Sequence, residues 1–415
     1  MGRSEIMASW GFVSDPFVNF AAEKEDRLEQ SFVTPYFFDE IVSDPKRPQA
    51  AFIFGARGEG KSALCKMVAQ RLRAFPDAPL VVEATDFSGW DIEAIDSLTF
   101  DDHLRRILGA CVAALAERLE QQPHALHEIV PADRALLEDF VLRFLPSVDH
   151  RSRETRLVAL LDHLQRDDRR LRRYGGQGWR RTLGYLRRKR FEFEAAKLDG
   201  NVSWLLAALM LVAPGARSFQ HATLQNVFDL FVGLVRRLGL PSVYVLVDKL
   251  DEVHGLEDRP DRIAKLVAPL AKSVRFLESE GAGIKLFIPA EARMELVGIR
   301  SDRIRTRTIH WDDAALLTFL KARVIAYSDG KLTSLEPVFT DYSAFEAALV
   351  RDSAGTPRNM LHILDEVVSE HCQRHQPPPQ IEPVVVRAGL RRFHGNKQLQ
   401  GDNPLYLHRV QERET

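Results

Sequence analysis

Four short apolar runs punctuate a chain that otherwise shows helical spacing: Ala51–Phe54, Pro79–Ala84, Val243–Val247 and Ile284–Ile288. Runs of this length without polar alternation predict strands covered on both faces, as in a parallel sheet. Thr306–Ile309 predicts a fifth, more polar strand. Helical periodicity follows the first run over Ala63–Leu72. It recurs over Asp101–Glu120, with Leu104, Ile107, Leu108, Cys111, Leu115 and Leu119 on one side, and over Asp261–Leu277. Strands alternating with helices predict an α/β fold around a parallel sheet.

After the fifth run the pattern is helical only. Asp312 or Asp313 can cap a helix to about Tyr327, and Ser343 one through Val350. Thr356-Pro357 places a cap and a first-turn proline ahead of a helix over Arg358–His371. Pro377-Pro378-Pro379 breaks the chain, Pro383–Phe393 is a last short helix, and a polar tail runs from Gly395. The expected organisation is an N-terminal segment (1–50), a core (51–120 and 240–310), a helical insertion (121–239), an all-helical lid (311–376) and a C-terminal helix and tail (377–415).

Chemistry enters at the first strand–helix joint. Gly55-Ala56-Arg57-Gly58-Glu59-Gly60-Lys61-Ser62 reads G-x-x-x-x-G-K-S, the P-loop pattern, in the strand–loop–helix setting that it requires. Its glycines let backbone N–H groups from Gly55 to Ala63 curl around phosphate oxygens, and the helix N-terminus adds partial positive charge. Lys61 is expected on the β- and γ-phosphates of ATP, and Ser62 on Mg2+. The second half of the site is Asp248-Lys249-Leu250-Asp251-Glu252, directly after the third run. An acid at the C-terminal end of a buried parallel strand faces the P-loop across the sheet crevice. Asp248 is expected to hold Mg2+, and Glu252, with Asp251 as the alternative, to polarise an attacking water. Arg293, shortly after the fourth strand, and Arg358, in the first turn of a lid helix, are candidate readers of the phosphates. A cation at the start of a helix works against the helix dipole, which gives Arg358 a use elsewhere.

Net charge of −1 points to no partner class. Local charge does: Arg166–Arg190 carries eleven Arg or Lys against two Asp, with Tyr174, Trp179 and Tyr185 interleaved. That composition suits a DNA or RNA backbone or an acidic protein or membrane surface, and equally a solvated helix face. Arg303, Arg305 and Arg307 alternate near the fifth strand and could reach a neighbouring subunit in trans. Three cysteines (Cys65, Cys111, Cys372) share no ligand spacing and read as reduced core residues of a cytoplasmic protein. The N-terminus has no apolar signal region. The apolar run Trp204–Ala213 is about half the length of a membrane span, so a buried helix or a contact surface is expected there instead.

Together these residues resemble the STAND and NACHT branch of AAA+-like ATPases. Val245–Glu252 looks like the D-G-L-D-E form of the acidic motif, with Lys249 in place of the usual small residue. Ala290–Arg293 sits where that branch carries a sensor arginine. Gly355-Thr356-Pro357-Arg358 resembles the G-x-P-R lid signature of origin-recognition proteins and overlaps the G-L-P position of STAND lids. Ile309-His310-Trp311 fits the same lid entrance. The resemblance covers about 15–120 and 240–375. It implies a nucleotide-driven switch that oligomerises or acts on a partner effector protein, with bacterial antiviral defence as one setting. A DNA-binding loader or clamp using Arg166–Arg190, and a non-hydrolysing nucleotide-bound scaffold, stay open beside it.

Overall fold

The computed structural model describes residues 2–87, 92–121, 129–144, 222–253, 255–256, 259–374 and 379–399. The basic run Arg166–Arg190 and the apolar run Trp204–Ala213 lie outside the described residues.

The strands are β1 (Ala51–Gly55), β2 (Leu80–Ala84), β3 (Val243–Val247), β4 (Ala282–Pro289) and β5 (Arg305–Thr308). They form one all-parallel sheet in the order β2-β3-β4-β1-β5. The P-loop strand β1 and the acidic strand β3 are therefore separated by β4, whose Ile288 lies opposite Phe54.

The period-two alternation of side chains sorts these apolar runs onto two faces. Phe52, Phe54, Val82, Val245, Val247 and Leu286 pack on one side with the helices Phe100–Gln121, Leu224–Arg237 and Pro260–Ala271. Ala51, Ile53, Val81, Leu246 and Phe287 pack on the other with Leu64, Val68 and Leu72 of the P-loop helix Lys61–Arg73. The helix Pro131–Phe144 joins the first face through Phe140 and Phe144. The described flanks of the expected insertion are thus parts of the core layer. The polar edge strand β5 carries Arg305 and Arg307, both paired with Glu40, and charge on an edge discourages further strand pairing.

The region expected as an all-helical lid holds the helices Asp313–Tyr327, Tyr342–Asp352 and Pro357–Cys372, and the expected separate C-terminal helix, Pro383–Leu399, shares their apolar core. The second lid helix is capped by Asp341, which accepts from the Ala344 N–H, so Ser343 is not the cap. The last helix runs through Leu399, past the expected end at Phe393. The expected helix over 261–277 is two, Pro260–Ala271 and Val274–Leu277. An N-terminal helix, Arg3–Trp10, belongs to the lid: Met7, Phe12 and Phe17 share its apolar core, and Arg3 pairs with Asp365 at 2.6 Å. No described helix is long and apolar enough to cross a membrane.

β4 contains one polar surprise. Lys285 is fully buried, donates to the Gln49 carbonyl at 2.6 Å and lies 5.4 Å from the Tyr244 ring centre. Burial, aided by Arg305, pulls its ammonium down to about 7. The unfolded lysine keeps its proton to about pH 10.4, so the unfolded state binds more protons between these values. Stability is expected to rise with pH from about 7 toward 10, and Lys285→Met to flatten that rise in urea melts across the range.

Candidate functional site

The P-loop geometry follows from its glycines. Gly58 and Gly60 have φ of +88° and +94°, the left-handed region that other residues enter at a cost. A Cβ on Gly58 would also lie 3.0 Å from Cβ of Arg358. Gly60 is the N-cap of the P-loop helix and offers no side chain to its first N–H groups, which leaves them for an external anion.

Lys61 is buried at the centre of this loop. Its ammonium donates to the carbonyls of Gly55 (3.1 Å) and Ala56 (3.4 Å) and lies 3.5 Å from Asp251 Oδ2. The Ala56 N–H donates to the buried Glu59 carboxylate at 2.6 Å, which braces the loop from within. The Glu59 carbonyl accepts from Trp311 Nε1 of the lid entrance at 2.9 Å.

Asp248 follows β3 and is 2% exposed. Burial raises its carboxyl to about 6, opposed by a hydrogen bond from the Ser62 side chain and by the nearby Lys61 charge. Its Oδ1 is buried with no hydrogen-bond partner. An orphaned carboxylate oxygen with a serine hydroxyl beside it fits a hard divalent cation whose other ligands are waters and phosphate oxygens. Among the described residues there is no cage of three or more His, Cys, Asp or Glu, so such an ion would need those external oxygens.

The sheet topology thus brings Lys61, Ser62, Asp248 and Asp251 together. Glu252 stands further out, with a side chain 60% exposed and 3.7 Å from Lys249 Nζ. Arg358 is half-buried against the loop: its N–H donates to the Gly58 carbonyl at 3.4 Å. Burial and the like charge of Arg57 lower its pKa, with Asp251, Glu252 and Glu23 opposing. Among the described residues its guanidinium has no ion pair within 4.0 Å, and the Arg57 charge lies close enough to act on it. Arg293 lies at the same sheet edge but is engaged elsewhere, donating to Thr308 Oγ1 at 3.1 Å and lying 5.2 Å from the Phe54 ring centre. Arg303, Arg305 and Arg307 are likewise paired within the chain, with Glu278 and Glu40. A cleft of about 790 Å³ opens at the opposite, N-terminal edge of the sheet, lined by Arg47, Arg236 and Arg303. It holds none of the P-loop residues.

Two participants have no local sequence signal. Glu23 of the N-terminal segment reaches Lys249 at 2.8 Å, and the Ala22 carbonyl accepts from Lys66 of the P-loop helix at 2.9 Å. Both contacts join residues over 40 positions apart in the chain. No protein-family model matches the sequence, and no curated protein matches it.

Proposed function

We propose that this chain is an ATP-binding and ATP-hydrolysing switch ATPase of the STAND/AAA+ kind, whose nucleotide state sets the seating of its helical lid. The observation that carries this reading is the convergence of Lys61, Ser62 and Asp248 at one sheet edge, with lid residue Arg358 packed on Gly58. On ATP binding, Lys61 exchanges two carbonyls and Asp251 for phosphate oxygens. Asp248 and Ser62 would hold a divalent cation, which would supply positive charge to the phosphates when bound. The longer, solvent-facing Glu252 orients the attacking water and takes its proton. Arg358 supplies a guanidinium to the terminal phosphate from the lid, so loss of that phosphate removes the anion that holds the lid down. The output of such a switch is assembly with copies of itself or with a partner protein, and a bacterial defence system is one setting that fits it.

Arg358→Ala tests the coupling. ATP affinity is expected to fall by about ten- to a hundredfold, while ATP loses its ability to protect the lid. Hydrogen exchange of the helix Pro357–Cys372, with ADP and with a non-hydrolysable ATP analogue, reads this directly. Equal protection by the analogue in wild type and variant would remove the role given to Arg358.

A further inference from the structure

We propose that Lys249 is a positioning residue for the proposed water-orienting acid: Glu23 holds its ammonium off Glu252, and withdrawal of Glu23 hands it over. The inference rests on the ATPase reading above.

Lys249 directly follows Asp248 and has φ of +65°. A lysine in the left-handed region is strained where glycine would not be. Such an outlier beside a candidate site points to a use for the side chain. Its Nζ lies 2.8 Å from Glu23 Oε1 and 3.7 Å from Glu252 Oε2. The Glu252 N–H donates to the Lys249 carbonyl at 3.1 Å, so both residues sit in one tight turn and stay within reach of each other. The ammonium is therefore shared unequally between two carboxylates, and the nearer one comes from a different part of the molecule.

That part is tied to the lid. Glu25, two residues on, pairs with Arg323 at 2.5 Å with both side chains buried, and the Tyr327 hydroxyl donates to the same carboxylate. Phe20 stacks on His362 with ring centres 3.8 Å apart. Glu23 thus projects from a segment anchored on two lid helices toward the acidic turn of the core. With the lid seated, Glu23 neutralises Lys249 and leaves Glu252 able to accept a proton. With the lid lifted, Glu252 is the remaining close partner of Lys249. An adjacent ammonium stabilises the charged carboxylate and makes it a weaker base. Hydrolysis is then confined to the seated lid. The other charges around this group are Asp248 on Lys249, Lys66 on Glu23, and Arg358 in the field of Glu23, Asp251 and Glu252. None of them bonds the Lys249 ammonium within 4.0 Å among the described residues.

The test is steady-state ATP hydrolysis by the full chain across pH. Wild type must turn over, since its inactivity would overturn the ATPase reading itself. In Glu23→Gln, kcat is expected to fall about tenfold with little change in KM for Mg-ATP, and the acid limb of the pH–kcat profile to move to lower pH. The double variant Glu23→Gln/Lys249→Asn is expected to regain most of that loss, because asparagine tolerates the left-handed backbone and carries no charge. Active wild type with an unimpaired Glu23→Gln would overturn the proposal. So would a double variant as slow as Glu23→Gln, which is what a merely structural Glu23 would give.

Discussion

Lys61→Ala is expected to abolish detectable Mg-ATP binding. The ammonium is buried, and its two carbonyl partners and Asp251 are all acceptors that a phosphate can replace without loss of charge balance. Charge-assisted hydrogen bonds of this kind contribute about 1.5–3 kcal/mol each. Loss of two such bonds to the β- and γ-phosphates corresponds to roughly a hundredfold or more in affinity. The truncation also leaves the partly exposed Asp251 near Asp248 without its cation, and mutual repulsion opposes a second negative ligand. Calorimetric titration with a non-hydrolysable ATP analogue reads the effect, and a melt on the same sample shows whether the fold survives. Wild-type affinity in Lys61→Ala would place the triphosphate elsewhere.

Asp248→Asn is expected to act in opposite directions on stability and on activity. The carboxyl titrates near 6 in the folded chain against about 3.9 in the unfolded one. Below about pH 4 both states hold the proton. As pH rises through 6 the folded state must ionise a buried group, and the stability present at low pH is lost. At pH 7 the ligand-free protein carries that penalty in full, on the order of 3 kcal/mol. Asparagine removes it, so the melting temperature of the ligand-free variant is expected to rise by a few degrees at pH 7 and to match wild type near pH 4. The same change removes the anionic oxygen that fits the cation, so Mg-dependent hydrolysis is expected to fall by at least a hundredfold. A variant less stable than wild type at pH 7 would show that the buried charge is already compensated within the protein.

Much of this architecture was legible in the chain because it is locally encoded. Ala51–Phe54 and Val243–Val247 are apolar on both faces, and short runs of this kind bounded by turn residues suit a strand covered on both sides. The G-x-x-x-x-G-K-S loop imposes its own backbone, and Arg358 was noticeable because its charge opposes the helix it starts. Long-range placement was not encoded in this way. Nothing in Ile284–Ile288 states that β4 lies between β1 and β3. Nor does it state that Lys285 is buried with a single carbonyl partner. The N-terminal segment carries no signal that ties it to the lid, since Ile6, Met7, Phe12 and Phe17 are too sparse for a strong periodic pattern. Its partners, Asp365 and Arg323, lie over 290 residues away. The Glu23–Lys249 pair escaped for the same reason, although an isolated lysine within an acidic turn was a usable hint.

The central claim is that the P-loop and the acid after β3 share one metal-bound triphosphate. The most direct measurement is a calorimetric titration of wild-type chain with a non-hydrolysable ATP analogue, in magnesium and in excess chelator. The expected result is one nucleotide per chain, bound at least tenfold more tightly with magnesium, with that enhancement lost in Asp248→Asn. Absence of binding, or an affinity indifferent to both the metal and Asp248, would contradict it.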